Sequence, residues 1–377
     1  MNYRKMPGSN EELSVLGFGC MRFPLTAEGK IEREASEEML LCAVDRGVNY
    51  IDTAWPYHSG ESEPFVGDVL YRKGLRKKVK LATKLPSWLI KSREDMDHYL
   101  EEQFKRLKTD YIDYYLVHAL NRGYWKNLKE NGIFDFLDCV KRDGRVKNIG
   151  FSFHDDLDLF KEITDSYEWD FCQIQYNYLD VKYQAGREGL DYAAARDIGV
   201  IVMEPLRGGK IAGKHPAQVQ RILDGLDKPY SNAEWALRWV WDHKKVVTLL
   251  SGMSTKEQVE ENIKVASDID EEGLDSRERE AIDEIRKIYL SKIQAHCTEC
   301  KYCMPCPSGV NIPRNFKFYN EAHIFGDIKK SRDEYRRFIG EKEQAHNCIK
   351  CGKCEKLCPQ NIEIIKHLKA ASELLED

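Results

Sequence analysis

Residues 50–58 read Tyr-Ile-Asp-Thr-Ala-Trp-Pro-Tyr-His, and the fold is decided by how this stretch is read. Val48–Thr53 is apolar and β-prone up to Asp52, and Pro56 then stops any regular element, so a buried strand followed by a tight exit loop is predicted. Asp52 stands at the strand end, with Tyr57 in the loop. Two later strands finish in the same manner: Val79–Lys84 in a lysine and Tyr111–His118 in a histidine. Strands of a parallel barrel open their C-terminal ends onto one face. An acid, a phenol, an amine and an imidazole are therefore expected to meet in one pocket.

Working outward, the same alternation runs along most of the chain. Residues 3–16, with Pro7-Gly8-Ser9-Asn10 between polar edges, read as a short hairpin. Leu16–Phe23 is the first core strand, and Val146–Phe151, Phe171–Tyr176, Val200–Met203 and Val246–Leu250 complete a set of eight. Helices are expected over Glu34–Arg46, Glu61–Arg72 (opened by Ser59 or Ser62), Arg93–Leu107 (capped by Ser92), Gly132–Arg142, a segment capped near Asp155 or Asp156, Leu190–Asp197, Ser231–His243 and Lys256–Ser267 (opened by Ser254). Eight strand–helix units predict an α/β chain folded as a closed (β/α)8 TIM barrel. No G-x-G-x-x-G turn follows the first strand, which argues against an open dinucleotide-binding sheet. A charged helix over about Ser276–Ile293 leads out of the barrel, giving expected domains at 1–293 and 294–377.

Composition narrows the partners. The net charge is −5, with 32% charged residues of both signs, so no basic field invites nucleic acid. No apolar run approaches the roughly 18–20 residues of a membrane span. The first residues lack the apolar core of a secretory signal. Eight of the 12 cysteines fall in two tight clusters near the C-terminus, a pattern of metal binding rather than of disulfides, and a reducing cytoplasm is expected.

The four groups suit carbonyl reduction. A carbonyl accepts hydride readily only if a proton reaches its oxygen as charge develops. Tyr57 is the candidate acid; the Lys84 ammonium is expected to lower its pKa, Asp52 to hold Lys84, and His118 to hydrogen-bond the carbonyl oxygen. Asp52, Tyr57, Lys84 and His118, in DTAWPYHSGE, KLATKLP and DYIDYYLVH, resemble the aldo-keto reductase tetrad. GRVKNIGFS (Gly144–Ser152), CQIQYNYLD (Cys172–Asp180) and SGMSTKEQVEEN (Ser251–Asn262) extend the resemblance over about residues 13–290. It implies NAD(P)H lying extended across the barrel mouth. Ser152 and Gln173 would hold the carboxamide, Leu206, Gly208 and Lys210 would lie along the pyrophosphate, and Ser254, Gln258, Glu261 and Asn262 would line the adenosine side. Phe153 and Met203 stand where the family often has an asparagine and an aromatic. Gln258 replaces an arginine often used for a 2′-phosphate and Lys256 is the nearest cation, so NADH and NADPH both remain open. Trp55, Trp88, Tyr124 and Trp125 follow strands two to four and are candidate walls for the substrate.

Cys297, Cys300, Cys303 and Cys306 are followed by Pro307, and Cys348, Cys351, Cys354 and Cys358 by Pro359. Four thiolates at such spacing with a closing Cys-Pro suit an iron–sulfur cubane, whereas zinc needs only paired ligands. The segment resembles a two-cluster 4Fe–4S ferredoxin, with a mainly helical inter-motif stretch over Ile312–Ala345. In that pattern the fourth cysteine of each motif serves the other cluster. The resemblance thus implies one cluster on Cys297, Cys300, Cys303 and Cys358, and a second on Cys348, Cys351, Cys354 and Cys306. Cys20, Cys42, Cys139 and Cys172 fall within barrel elements, as inert thiols.

The expected protein is an NAD(P)H-dependent oxidoreductase acting on a small carbonyl or alcohol, fused to an iron–sulfur module for electron transfer, docking or structure. An external electron carrier is a candidate partner, met by Lys329, Lys330, Arg332, Arg336 and Arg337. The alternative is an iron–sulfur electron-transfer protein on a catalytically retired barrel.

Overall fold

The structure, a computed structural model, describes residues 1–269, 272–297, 299 and 301–376. It divides into two compact units, Met1–Lys214 with Pro229–Ser276, and His215–Lys228 with Arg277–Asp377.

In the first unit β1 (Tyr3–Lys5) and β2 (Glu12–Ser14) form an antiparallel hairpin. Then come β3 (Leu16–Gly19), α1 (Arg33–Asp45), β4 (Tyr50–Asp52), α2 (Ser62–Arg72), β5 (Lys80–Leu85), α3 (Arg93–Leu107), β6 (Ile112–Leu120), α4 (Arg122–Glu130), α5 (Ile133–Arg142), β7 (Val146–Phe153), α6 (Leu157–Asp165), β8 (Phe171–Gln175), α7 (Gly186–Ala194) and β9 (Gly199–Met203). After α8 (Ala217–Asp224), which belongs to the second unit, follow α9 (Asn232–Trp241), β10 (Val246–Ser251) and α10 (Lys256–Ser267). Strands β3 to β10 close into a parallel barrel, β10 pairing with β3 through Leu249–Leu16 and Ser251–Phe18.

Two apolar layers hold it. Inside the barrel Tyr50, Tyr114 and Phe171 stack edge to face at 5.1 Å per pair, with Met6 and Leu13 of the hairpin packed beneath them. Glu11 anchors that plug, pairing with Lys80 and accepting from the Tyr114 hydroxyl at 2.8 Å. The second layer lies between strands and helices. Helix and helix come close in it at Gly67 on α2, where a methyl would run into the Arg106 carbonyl oxygen and meet Leu107 Cα at 2.5 Å. Alanine is the better helix former by about 1 kcal/mol. Gly67→Ala is nevertheless expected to destabilise by about 1–3 kcal/mol, because backbone must move. A denaturation midpoint that rises would show that α2 and α3 do not approach so closely.

Local signals act where expected at several ends. Ser92 and Asp95 form a reciprocal capping box on α3, and Asp156 caps α6. Other expectations need correction. The first strand stops at Gly19 instead of running to Phe23, whose ring turns aside to pack on Phe65 at 5.1 Å. Neither Ser59 nor Ser62 caps α2; Ser62 is buried against the Thr53 hydroxyl at 2.8 Å. Thr255, not Ser254, caps α10.

In the second unit, α11 (Ser276–Leu290) precedes α12 (Ile312–Phe325), α13 (Ile328–Phe338), α14 (Lys353–Leu357) and α15 (Ile364–Leu375). The helical stretch expected over Ile312–Ala345 is two helices. Gly326 takes a left-handed conformation (φ 72°) that ends α12, and Asp327 caps α13 by accepting from the Lys330 amide. No helix among the described residues is long and apolar enough to cross a membrane.

Candidate functional site

The barrel's stagger explains why residues from six strands face one cleft. Asp52 lies beside Ala82 on β5, and Lys84 is two residues further along that strand. Lys84 lies beside Leu116 on β6, and His118 is again two further. Leu116 lies beside Gly150, two before Ser152; Ser152 pairs with Gln173; Gln173 lies beside Ile201, two before Met203. Steps of two preserve the inward direction of a strand side chain, so the tilt of the strands carries one ring of residues around the rim. Asp52, Tyr57, His118, Ser152, Gln173 and Met203 line a cleft of about 620 Å³, with Lys84 buried behind them.

Lys84 organises the chemistry. Its ammonium donates to Asp52 Oδ1 and Oδ2 at 2.7 and 2.8 Å, to the Thr53 carbonyl at 2.8 Å and to Tyr57 Oη at 3.3 Å. An ammonium has no acceptor, so Tyr57 Oη receives here and its own proton points elsewhere. Burial disfavours the charged amine, but Asp52 and Tyr57 outweigh it and hold Lys84 above its ordinary value. Burial pushes the Asp52 carboxyl up while Lys84 pulls it down, and contact through both oxygens suits a carboxylate.

Lys84 pulls the Tyr57 pKa down as expected, but the net shift is upward. Burial raises the phenol more than the ammonium lowers it, and Asp52 adds to the rise. Tyr57 is thus a protonated acid throughout the physiological range. His118 is pushed well below its ordinary value by burial, then by Lys84 and His154, so it is a neutral imidazole. Its Nδ1 is buried without a hydrogen-bond partner, and its ring stands edge-on to Tyr57 at 6.2 Å.

A buried network fixes the strand carrying Lys84. Gln103 on α3 donates to the Lys84 carbonyl at 2.9 Å and to Glu63 at 2.7 Å, and accepts from the Tyr115 hydroxyl at 2.9 Å. The Thr83 hydroxyl donates to the same Glu63 oxygen at 2.6 Å.

Of the nine residues expected to hold nucleotide, eight line the cleft: Ser152, Gln173, Leu206, Gly208, Ser254, Gln258, Glu261 and Asn262. Lys210 caps the short turn Arg207–Gly209 and is not part of the wall. Ser152 Oγ accepts from the Ala119 amide at 2.7 Å, which leaves its proton to give, while Gln173 Oε1 is buried with no partner. One donor and one orphaned acceptor are what a carboxamide needs. Phe153 faces the outer apolar layer. Lys256 pairs with Glu38, outside the cleft wall.

Sequence reading missed Arg22 and His154, both of which line the cleft. Arg22 lies over Gly252 and Gly208, at 2.9 and 3.0 Å from where their side chains would begin. Drawing the first strand through Phe23 hid it. His154 lies one residue past the end of β7 and two after Ser152, and that spacing was the available signal. Among the four aromatics, Trp88 faces His118 at 5.2 Å. Trp55 lies under Arg106 and against Tyr99. Trp125 is buried on α4 and donates to Glu162, and Tyr124 lies in the first turn of the same helix.

In the second unit Cys297, Cys303 and Cys358 line one small apolar cavity with Phe316, Ile312 and Pro359. Cys306, Cys348 and Cys354 pack on the same apolar core, while Cys351 is exposed. Cys300 lies outside the described residues. Burial works to raise the Cys306 thiol. Hydrogen bonds from the Ser308 hydroxyl and from the Ser308, Val310 and Gly309 amides nevertheless hold it below its ordinary value. Such donors stabilise cluster sulfur. Glu299 and Lys301, on either side of Cys300, have φ of 57° and 63°; Lys350 and Gly352, on either side of Cys351, have 57° and 71°. The same left-handed pair thus recurs in both motifs. Thiols from both motifs around one apolar cavity are the donor set that an iron–sulfur cubane takes.

Fold and rim geometry together define a barrel oxidoreductase. Residues 15–287 match the Aldo/keto reductase family and residues 296–363 a 4Fe-4S dicluster domain. The chain belongs to the aldo/keto reductase family and carries an iron–sulfur domain. It is 27% identical over 316 residues to an uncharacterized oxidoreductase YrpG of Bacillus subtilis, covering 73% of this chain and 94% of the relative. It is 27% identical over 328 residues to Protein tas of Escherichia coli, covering 70% and 92%. Among solved structures, the holo form of the aldo-keto reductase AKR11C1 from Bacillus halodurans superposes with a TM-score of 0.64 at 25% identity, covering 75% of this chain and 96% of that one.

Proposed function

We propose that the barrel reduces an aldehyde or ketone with a nicotinamide cofactor. The observation that carries this is Lys84, bonded to both Asp52 oxygens and to Tyr57 Oη at the cleft rim. The chemistry a nicotinamide would supply there is a hydride for the carbonyl carbon. Ser152 and Gln173 would orient its carboxamide, His118 would donate to the carbonyl oxygen, and Tyr57 would protonate that oxygen. Lys84, left facing a phenolate, offsets the new charge, and Asp52 keeps Lys84 charged and aimed. Nicotinamide oxidation with a panel of aldehydes and ketones, measured without air, tests the reading; no turnover with any carbonyl would sink it.

NADH is the proposed cofactor. On the adenosine side, Gln258 accepts from the Ser254 amide at 2.8 Å and Glu261 accepts from the Ser231 hydroxyl at 2.5 Å. Neither is a cation, and a carboxylate there repels a 2′-phosphate. NADH is expected to give kcat/KM at least about tenfold above NADPH, a difference of ~1.4 kcal/mol. A strong, salt-sensitive NADPH preference would mean that Arg22 or Lys256 reaches the phosphate.

For 294–377 we propose two 4Fe–4S clusters on the crossed cysteine sets. Sharing of one cavity by Cys297, Cys303 and Cys358 supports the crossing. Such clusters suit a reducing cytoplasm.

A further inference from the structure

We propose that the cysteine loops of the second unit form a docking surface for a small acidic electron-carrier protein. This rests on the reading that the unit holds clusters, but on no property of the barrel.

Three of the exposed large apolar residues of the chain each adjoin a cysteine: Tyr302 (66% exposed) beside Cys303, Ile349 (65%) beside Cys348, and Leu357 (58%) beside Cys358. Cys303 and Cys358 line one cavity, so Tyr302 and Leu357 flank the same site. Exposed apolar side chains around a redox centre supply the dry contact that a transient partner needs.

Lys301, Lys350, Lys353 and Lys356 alternate with them and are exposed. Lys301 also lines the cavity. The surface ion pairs among the described residues include none to these four. The acids within these loops are Glu299 and Glu355, and Glu355 is occupied by the Ile365 amide at 2.9 Å. Apart from the clusters they would hold, the exposed side chains of these loops are thus mainly cationic, in a chain of net charge −5. Cys351, a proposed cluster ligand, is exposed between Lys350 and Lys353. A collar of lysines around an exposed electron port matches a carrier whose own redox centre is ringed by carboxylates. In each encounter one electron leaves the reduced carrier and one cluster accepts it, with no bond formed or broken.

The basic face of α13 is a poorer dock. The Arg332 guanidinium donates to the Leu374 carbonyl at 2.8 Å, and Arg336 to the Glu376 carbonyl at 3.1 Å, so both are tied to the C-terminal helix.

The test uses cluster-loaded full-length protein and an acidic plant-type ferredoxin as probe, with no nicotinamide or carbonyl present. Association is expected at low salt and to weaken at least about tenfold by roughly 0.5 M NaCl. Joint replacement K301Q, K350Q, K353Q, K356Q should weaken it at least about tenfold. K329Q with K330Q on α13 should leave it unchanged, and a basic cytochrome c should not bind. Cluster absorbance checks that each variant is loaded. Should the four-lysine variant fail to load, the salt dependence of the unaltered protein and the α13 control decide. Salt-independent binding, equal binding by the loaded four-lysine variant, loss in the α13 variant, or preference for duplex DNA or anionic vesicles over ferredoxin would each overturn the proposal. Purified protein without iron would instead overturn the cluster reading, and neither result bears on carbonyl reduction.

Discussion

Tyr57→Phe is expected to lower kcat for carbonyl reduction by about 100- to 10,000-fold, the range for loss of a positioned acid. KM should change little, since the aromatic ring and its place above Lys84 remain. The pH dependence follows from direction. Burial holds the phenol above its ordinary value, so the proton needed for reduction is present below that pKa and is lost only as pH rises through it. The reduction rate of the unaltered protein should therefore stay level through neutral and moderately alkaline pH. The reverse, alcohol-oxidising reaction needs the phenolate and should rise with pH over the same interval. Steady-state profiles in both directions check this. A reduction rate that falls by half below about pH 8 would mean that Lys84 controls the phenol more than burial does.

The second large effect concerns metal content. Under the crossed assignment, Cys297→Ala and Cys358→Ala should each remove the same cluster, about half the iron, despite lying in different motifs. Cys306→Ala and Cys348→Ala should each remove the other. Iron analysis and the electron paramagnetic resonance of the reduced protein distinguish the centres. If Cys358→Ala grouped with Cys348→Ala, each motif would close on itself and the crossing would be wrong. Turnover by the barrel gives a separate readout of whether the clusters take part.

The eight strands were legible because a parallel barrel strand is apolar and short, and Asp52, Lys84 and His118 are polar breaks at or near the strand ends, β5 and β6 running on to Leu85 and Leu120. Helices over Arg122–Glu130, Ala217–Asp224 and Ile364–Leu375 escaped the reading. The first holds Tyr124 and Trp125 in a segment read as loop, and its helical state depends on Asn121 as cap and on burial of Trp125. Gly326 is a helix stop inside Ile312–Ala345 that the reading of one helical stretch passed over.

Sequence alone determined the barrel, the identity of the four rim groups and the eight clustered cysteines. These depend on periodicity, strand ends and spacing, all properties of neighbours along the chain. Tertiary structure alone decided the sign of the Tyr57 shift, since burial is a sum over residues from every strand. It also decided that Arg22 and His154 join the cleft, that Lys256 turns away to Glu38, and that Cys358 shares a cavity with the first motif. Each of these outcomes depends on which distant segments end up adjacent, and the strand tilt and the chain's return after α13 set that.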